Sequence, residues 1–465
     1  MTGPLVVVGD CLLDVDVEGQ ATRLCPDAPV PVLSDPKERA RPGGAALAAE
    51  LAARDGHQVV LVTALADDDD ARRLAGLLSP SVRLVGLPCG GSTPVKRRVR
   101  AAGQSLVRID SGAAGAVGEV PKELVAIISQ ASAVLVSDYG QGLTDAGGIR
   151  AALSAALSGA RRVPLVWDPH PRGARPVPGV WLATPNQAEA AAWSAKTGVP
   201  VSEGIGVATL HASARALVRE WRAQAVCITM GERGALLSTG GDVPVVVPAP
   251  GTLCVDSCGA GDRFAVSVAL SFAEGAVTSE AVQSAVAASS AFVARGGAGS
   301  LLTSAATSPH ADGSPARPGT VVATGGCFDL LHAGHVSTLR AARRLGDRLV
   351  VCVNSDDSVR RLKGPTRPVV PQADRVRVLE ALECVDEVVV FDEDTPVDVL
   401  RMIRPDVWAK GGDYAGSETP EASVVTEWGG QAVVLPYLSG RSTTGLLRAV
   451  GAVESQPSQG RSINR

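Results

Sequence analysis

The stretch Thr324-Gly325-Gly326-Cys327-Phe328-Asp329-Leu330-Leu331-His332-Ala333-Gly334-His335 sets two imidazoles three positions apart. A short β-prone run, residues 321–323, precedes it, and residues 336–345 follow with the apolar spacing of an amphipathic helix. The histidines therefore fall on a strand-to-helix turn. Unpaired N–H groups and the helix dipole make such a turn a place for phosphate. Imidazoles at i and i+3 can both face that phosphate. They can donate hydrogen bonds to its oxygens as charge builds, without acting as nucleophile or metal ligand. A pair at this spacing can also be a metal pair or two solvated side chains. The glycines of the turn, the Phe328-Asp329 step and Gly334 between the imidazoles favour phosphate, as does the scarcity of histidine, six in the chain. Gly325, Phe328 and Asp329 join the histidines as candidate nucleotide contacts.

A second chemical centre is Asp256-Ser257-Cys258-Gly259-Ala260-Gly261-Asp262-Arg263-Phe264, leading into an apolar helix expected to start near Ala265. A Gly-Ala-Gly turn at a helix start makes a small anion nest. There the backbone of Gly259, Ala260 and Gly261 would hold a migrating phosphoryl group. Asp262 would take the proton of the attacking hydroxyl. Taken alone, Asp262 is as easily a helix N-cap.

Other candidates gather around these two. Asp10 and Asp14 follow a first strand at residues 5–8, at the strand end where α/β folds place ligand contacts, with a solvated turn as the alternative. The pair Gly43-Gly44 precedes a helical run, 47–54, and lets backbone approach a ligand closely, although a glycine pair alone is weak support. Lys96, with Arg97 and Arg98, sits on a two-stranded ribbon over residues 93–109 and meets either solvent or an anionic substrate. Asp138 follows a buried strand at 134–137, and Asn186-Gln187-Ala188-Glu189 follows another at 181–184. In the last third, residues 360–363 and 367 supply cations where a triphosphate and a sugar phosphate need neutralising, with Lys363 counted among the catalytic candidates. Lys410 ends a strand at 406–409. Ser442, Thr443 and Thr444 open a final helix, where hydroxyls cap the helix or bind phosphate.

These residues need elements to hold them. Short apolar runs alternate with Ala-rich helical runs through the first 300 residues, which argues for a mostly parallel sheet with helices on both faces. The proline-bearing stretch 25–33 suits an edge or lid ribbon rather than a central strand. Asp67–Asp70 cap the next helix. Residues 303–319 lose all hydrophobic period and read as a flexible linker. The expected organisation is a domain over 1–302, the linker, a second α/β domain over 320–453 and a disordered tail from 454.

Composition narrows the function classes. At 465 residues the chain is too long for one ordinary core. A net charge of −4 gives no basic field for nucleic acid, and no apolar run is long enough to span a membrane. The N-terminus reads as a strand rather than a signal peptide. Nine scattered cysteines without C-x-x-C fit free thiols in a reducing cytoplasm.

Two resemblances sharpen this reading. The histidine turn resembles the G-x-F-D-x-x-H-x-G-H signature of the cytidylyltransferase-like nucleotidyltransferases, which transfer a nucleotidyl group and release pyrophosphate. Gly43-Gly44, Asn186-x-x-Glu189 and Gly259-Ala260-Gly261-Asp262 resemble, in order and spacing, the ribokinase-like (PfkB) sugar kinases. That resemblance implies a doubly wound sheet with a β-lid over the sugar, followed here by a Rossmann-like domain. It makes Asp262 the catalytic base. It gives Asn186 and Glu189 a part in placing Mg²⁺ and the ATP phosphates, with Mg²⁺ near Glu189 and not held directly by a protein cage. Two departures stand out: Leu47 where that family usually has Asn, and Arg263 where it usually has Thr. Residues 320–452 resemble the adenylyltransferase half of bacterial bifunctional heptose enzymes, through His332–His335, residues 361–364, Arg367-Pro368-Val369, residues 410–414 and Ser442-Thr443-Thr444. Arg441 departs from the small residue usual there. The resemblance implies ATP and Mg²⁺ as cofactors, sugar phosphates as substrates, a cytoplasmic place and a homodimer paired through the lid. The same two chemistries on another sugar phosphate, with CTP, or a kinase domain kept only as a scaffold, remain open at this point.

Overall fold

The computed structural model describes residues 3–101, 104–159, 161–196, 206–250, 256–302, 319–411 and 420–435. Ser442, Thr443, Thr444, Arg441, the linker and the tail lie outside the described residues. The chain divides into two compact units, Met1–Gly240 with Ala249–Gly313, and Gly241–Pro248 with Ser314–Arg465.

The first unit is built on strands β1 (Leu5–Gly9), β2 (Cys11–Cys25), β3 (Ala28–Gly44), β4 (Val59–Leu65), β5 (Val82–Gly91), β6 (Val95–Ala101), β7 (Gln104–Ser111), β8 (Ala114–Val117), β9 (Ala133–Ser137), β10 (Leu165–Asp168), β11 (Leu182–Ala183), β12 (Val226–Thr229) and β13 (Ala235–Ser238). Its main sheet runs β13-β12-β11-β10-β9-β1-β4-β5-β8. All pairs are parallel except the two at the edges, β12–β13 and β5–β8. Leu5, Val6, Val7 and Val8 are all buried, because helices cover both faces of such a sheet. That is why β1 reads as an unbroken apolar run rather than an alternating one.

A second sheet, ordered β3-β2-β6-β7, forms the lid. The proline-bearing ribbon turns at Pro26 and runs from Ala28 within β3, at the edge, where a missing N–H costs least. The stretch after Asp10, for which a solvated turn was the alternative to a ligand contact, is β2. Its first residues are buried and its outer half reaches into solvent.

The helix carrying Asp262 spans Ala260–Ala273, five residues earlier than its apolar period suggests. Gly259 takes φ 78° at its start, a conformation open to glycine. The chain can therefore turn straight into the helix, and Gly261 lies inside the first turn.

The second unit takes in β14 (Val245–Val247), β15 (Val321–Gly326), β16 (Arg348–Asn354), β17 (Glu387–Phe391), β18 (Val407–Gly411) and β19 (Gln431–Leu435). Its strand order is β17-β16-β15-β18-β19-β14, parallel throughout. The order reverses between β15 and β18. In doubly wound sheets ligands bind at the carboxyl ends of the strands flanking such a reversal. The histidine turn leaves the carboxyl end of β15.

Candidate active site

In the first unit the helix Ala260–Ala273 delivers Asp262 to the carboxyl ends of β9 and β10. The Tyr139 hydroxyl, just past β9, donates to Asp262 Oδ1 at 2.8 Å and lies 3.0 Å from Oδ2. Burial pushes the Asp262 carboxyl up to about 7, against the Tyr139 hydrogen bond and Lys96, which pull it down, and with Asp14, which adds to the rise. A carboxylate poised near neutrality is suited to general-base work. Tyr139, raised well above its usual value by burial and Asp262, stays protonated and remains a donor.

The surrounding carboxylates have distinct jobs. Asp10 accepts from the backbone N–H groups of Tyr139, Gln141 and Leu143, at 3.0, 3.0 and 3.3 Å. It pins the loop that carries Tyr139. Asp138 accepts from Gly140 N at 2.8 Å and Thr144 Oγ1 at 2.9 Å, and burial raises it to about 6. Asp14 pairs with Arg98 on β6, at 2.5 Å. Across the β2–β3 ladder, Arg41 pairs with Asp16 and stands 3.8 Å from Cys258 Sγ, at the foot of the Gly259 turn. Gly43 is confined by packing: a Cβ there would collide with Leu12 and come 2.7 Å from Asp14 Oδ2. Gly44, at φ 62°, turns the chain into the helix Ala45–Arg54.

The Asn186-x-x-Glu189 motif forms a reciprocal capping box on the helix Gln187–Lys196. Asn186 N donates to Glu189 Oε2 at 2.8 Å and Glu189 N to Asn186 Oδ1 at 3.0 Å. Gln187 Oε1 accepts from Arg233 at 2.7 Å, and Ala188 sits between them on the first turn. Burial raises Glu189. Burial together with the Glu189 and Asp262 charges raises Asp168 well above the carboxylate range. Asp168, at the end of β10, and Tyr139 were not singled out by sequence. The available signal was position, since both directly follow parallel strands whose ends converge.

The nest is narrower than its sequence suggests. Ala260 N is bonded to Ser257 O at 3.1 Å, while Gly261 faces open space. A Cβ on Gly259 would come 3.0 Å from Leu47 Cδ2. Leu47, one departure from the kinase pattern, is therefore buried packing under the turn. Arg263, the other, pairs with Asp55 at 2.6 Å.

In the second unit the imidazoles of His332 and His335 stack with centroids 3.9 Å apart. His332 is the N-cap of the helix Ala333–Arg343, its Nδ1 accepting from Gly334 N at 3.1 Å. Burial, with His332 and Lys363 nearby, depresses His335 to about 4, so its ring is neutral at pH 7. The neutral ring offers a hydrogen bond rather than a charge. Its Nδ1 is buried with no partner among the described residues. Phe328, held at φ 44°, lays its ring 5.4 Å from that of His335. Lys363 donates to Cys327 Sγ at 2.9 Å, which sets its ammonium beside the turn. A Cβ on Gly325 would come 2.6 Å from Trp408, so close packing demands the glycine. Asp329, 1% exposed, accepts from Arg367, Val369 N and Val370 N and holds the 367–370 loop over the turn. Lys410 stands 3.6 Å from Glu421.

Arg375 went unnoticed in the sequence. Its buried guanidinium donates to Cys327 O at 2.5 Å, Asn354 O at 2.9 Å, Val370 O at 3.1 Å and Asp356 Oδ1 at 2.8 Å. It ties the histidine turn to the end of β16 and to the 367–370 loop.

Residues 4–305 match the model of the pfkB family of carbohydrate kinases, and residues 323–429 match that of the cytidylyltransferase-like family. The chain is 55% identical over 456 residues to Bifunctional protein HldE of Streptomyces coelicolor, covering 96% of each. It is 36% identical to Bifunctional protein HldE of Azorhizobium caulinodans, over 96% of this chain and 97% of that one. A solved Arabidopsis thaliana ribokinase, complexed with ribose and ATP, aligns with 65% of this chain and 98% of its own, at 22% identity and a TM-score of 0.47. With a carbohydrate-kinase unit and a nucleotidyltransferase unit aligned end to end with these relatives, the chain belongs to the family of bifunctional HldE proteins.

Proposed function

We propose that the first unit phosphorylates D-glycero-β-D-manno-heptose 7-phosphate at its anomeric oxygen with ATP, and that the second transfers the AMP group of ATP to heptose 1-phosphate, giving ADP-heptose and releasing pyrophosphate. A separate phosphatase removes the 7-phosphate between the two steps. The supporting observation is the correspondence over 96% of each chain with a bifunctional HldE. Both departures from the kinase pattern have packing roles, Leu47 buried under the Gly259 turn and Arg263 paired with Asp55, so neither argues for an inactive scaffold.

In the kinase step Asp262 accepts the proton of the attacking hydroxyl while Tyr139 holds the carboxylate in one orientation. In the transfer step His335 and His332 donate to phosphoryl oxygens and Lys363 supplies positive charge beside them. Mg²⁺ fits the kinase site. Among the described residues no group of three or more His, Cys, Asp or Glu side chains could hold a metal ion alone. Mg²⁺ characteristically binds one or two carboxylates plus substrate phosphates. Asp168 and Glu189, both raised by burial, are the carboxylates that would hold it. When bound, it offsets triphosphate charge.

A homodimer through the lid is part of this reading. Leu24, Val30, Leu106, Val107 and Ile109 are exposed on lid strands, and β7 is an edge strand exposed along its whole length. Such a surface invites a partner. No helix among the described residues is long and apolar enough to cross a membrane, and the ATP requirement suits a cytoplasmic place.

The test is mass-spectrometric product analysis of the purified chain with ATP and heptose 7-phosphate, with and without a phosphatase. ADP-heptose only when the phosphatase is present is the expected result. Turnover of neither heptose phosphate removes the proposal.

A further inference from the structure

The chain enters or leaves the lid four times: after β1, before the helix Ala45–Arg54, between β5 and β6, and between β7 and β8. Residues 92–94 make the third crossing, and Thr93 is buried there. The fourth crossing lies directly on it. Ser92 N donates to Ala113 O at 3.0 Å, and a Cβ on Gly112, at φ 73°, would come 2.2 Å from Thr93 O. The first crossing joins them, since Pro94 O accepts from Leu13 N at 2.9 Å, one residue before Asp14. Three of the four crossings therefore meet at the segment 92–94.

A carboxylate outside the lid reaches this segment. Asp68 is the N-cap of the helix Asp69–Gly76, and its Oδ1 accepts from Ala71 N at 2.7 Å. That bond satisfies the helix end. The same Oδ1 accepts from Thr93 Oγ1 at 2.7 Å, and Oδ2 accepts from Thr93 N at 2.7 Å. Asp67 and Asp69, beside it, are solvent-exposed and pair with Arg72 instead. Burial opposes the Asp68 charge, yet the Thr93 and Ala71 amides, the Thr93 hydroxyl and Arg72 outweigh it and hold the carboxyl below its usual value. Hydrogen bonds to an ionised carboxylate are among the stronger ones. The helix touches the lid once more, Arg73 to Glu38 on β3 at 2.6 Å, but those side chains are 40% and 39% exposed, and such pairs contribute little. From the crossing, β2 and β6 run side by side, with Leu13 opposite Val95 and Asp14 opposite Lys96. The charges of Asp14 and Lys96 both act on Asp262.

We propose that Asp68 is a positioning residue for the sugar-kinase step, its carboxylate latching the Thr93–Pro94 crossing and so setting the stance of the lid over Asp262. The acceptor reading given above enters only through the sugar used in the test. The two jobs of Asp68 can be separated. Asn at this position still caps the helix and still offers an oxygen to Thr93 Oγ1, but its amide then faces Thr93 N, donor against donor. Ser also caps well, yet it is too short to reach Thr93. Thr93→Val removes the hydroxyl bond alone and leaves the N–H in place.

The test measures three quantities in the full chain and in Asp68→Asn, Asp68→Ser, Thr93→Val and, as a control on the same helix, Asp69→Ala. They are amide hydrogen exchange over residues 92–99 without ligands, KM and kcat for heptose 7-phosphate and for ATP, and the melting temperature. Asp68→Asn and Asp68→Ser should speed exchange over 92–99 and raise KM for the sugar roughly tenfold, the worth of one charge-assisted bond. KM for ATP and the melting temperature should stay close to wild type, because the cap survives. Thr93→Val should move in the same direction by less, and Asp69→Ala should move nothing. Wild-type exchange and wild-type sugar KM in Asp68→Asn overturn the proposal. So does a variant whose two KM values and melting temperature all worsen together, which would make Asp68 a helix cap and nothing more. A wild-type chain that does not phosphorylate heptose 7-phosphate removes the acceptor reading instead. The exchange over 92–99 then decides the latch alone: faster in Asp68→Asn upholds it, unchanged overturns it.

Discussion

Tyr139 and Asp262, 123 positions apart in sequence, meet through one hydroxyl that reaches both oxygens of one carboxylate. The contact favours the ionised carboxylate, and so it opposes the burial that raises Asp262 to about 7. Tyr139→Phe removes the opposition and sends the Asp262 pKa higher still. Because the base must be ionised, the acidic limb of the kinase pH profile should move to higher pH, by roughly one unit for one such hydrogen bond. Activity at pH 6 should then fall more than activity at pH 8.5. An unmoved limb would show that Tyr139 does not act on the base.

Asp262→Asn should reduce sugar phosphorylation roughly 10²–10⁴-fold, the usual worth of a positioned base. The same change should stabilise the first unit at alkaline pH. A carboxyl raised from 3.8 to about 7 on folding binds more protons folded than unfolded across that window. The stability it contributes falls as pH rises through the window. The melting temperature of Asp262→Asn relative to wild type should therefore be about equal near pH 4 and higher by a few degrees, roughly, at pH 8. A difference that does not depend on pH would contradict the buried, raised carboxyl.

His335→Ala should abolish nucleotidyl transfer, with a loss on the order of 10²–10³, and leave sugar phosphorylation intact. The depressed His335 pKa, about 4, adds a pH signature. The ring is uncharged from pH 6 to 8, so the transfer rate should show no decline across that range from loss of an imidazolium. A titration near pH 6.5 that disappears in His335→Ala would mean the ring works as a cation.

The buried Arg375 should matter as much as the histidines without touching substrate. Arg375→Met strips the donor from three carbonyls and from Asp356. Removing one partner of a buried charged network costs about 3–5 kcal/mol. The thermal transition of the second unit should drop and transfer should be lost, while kinase turnover persists. A variant that melts like wild type would show that these bonds are not needed to hold the turn.

Much of this was legible beforehand because it depends on local pattern. Runs such as Leu5–Gly9 and Arg348–Asn354 are apolar because helices cover both faces, and glycine turns mark their ends. The histidine turn and the Gly-x-Gly-Asp step carry their chemistry within ten residues. What escaped depends on distant partners. The period of an apolar helix could not show that Gly259 starts it early by turning left-handed. Asp10 looks like a ligand contact at a strand end, yet three amides more than 120 positions away occupy its carboxylate. Tyr139 gains its role only from Asp262, and Arg375 only from three loops brought together by β15 and β16.

The two chemistries should separate cleanly between chains. The second unit includes β14, from residues 245–247, whose Val245 is in register with Val434. Cutting at 303–319 would part that strand from the rest of its sheet, so the test uses whole chains. Asp262→Asn should retain formation of ADP-heptose from supplied heptose 1-phosphate, and His335→Ala should retain the kinase step. Their mixture, with ATP, heptose 7-phosphate and the phosphatase, should then make ADP-heptose. The phosphatase must act between the two steps, so the intermediate has to leave the first site in any case. Exchange through solvent is therefore the simplest route, and the mixture should approach half the rate of wild type at equal total chain. If each variant keeps its own activity and the mixture still yields no ADP-heptose, the intermediate does not exchange freely between chains, and the phosphatase must act on it while it remains bound.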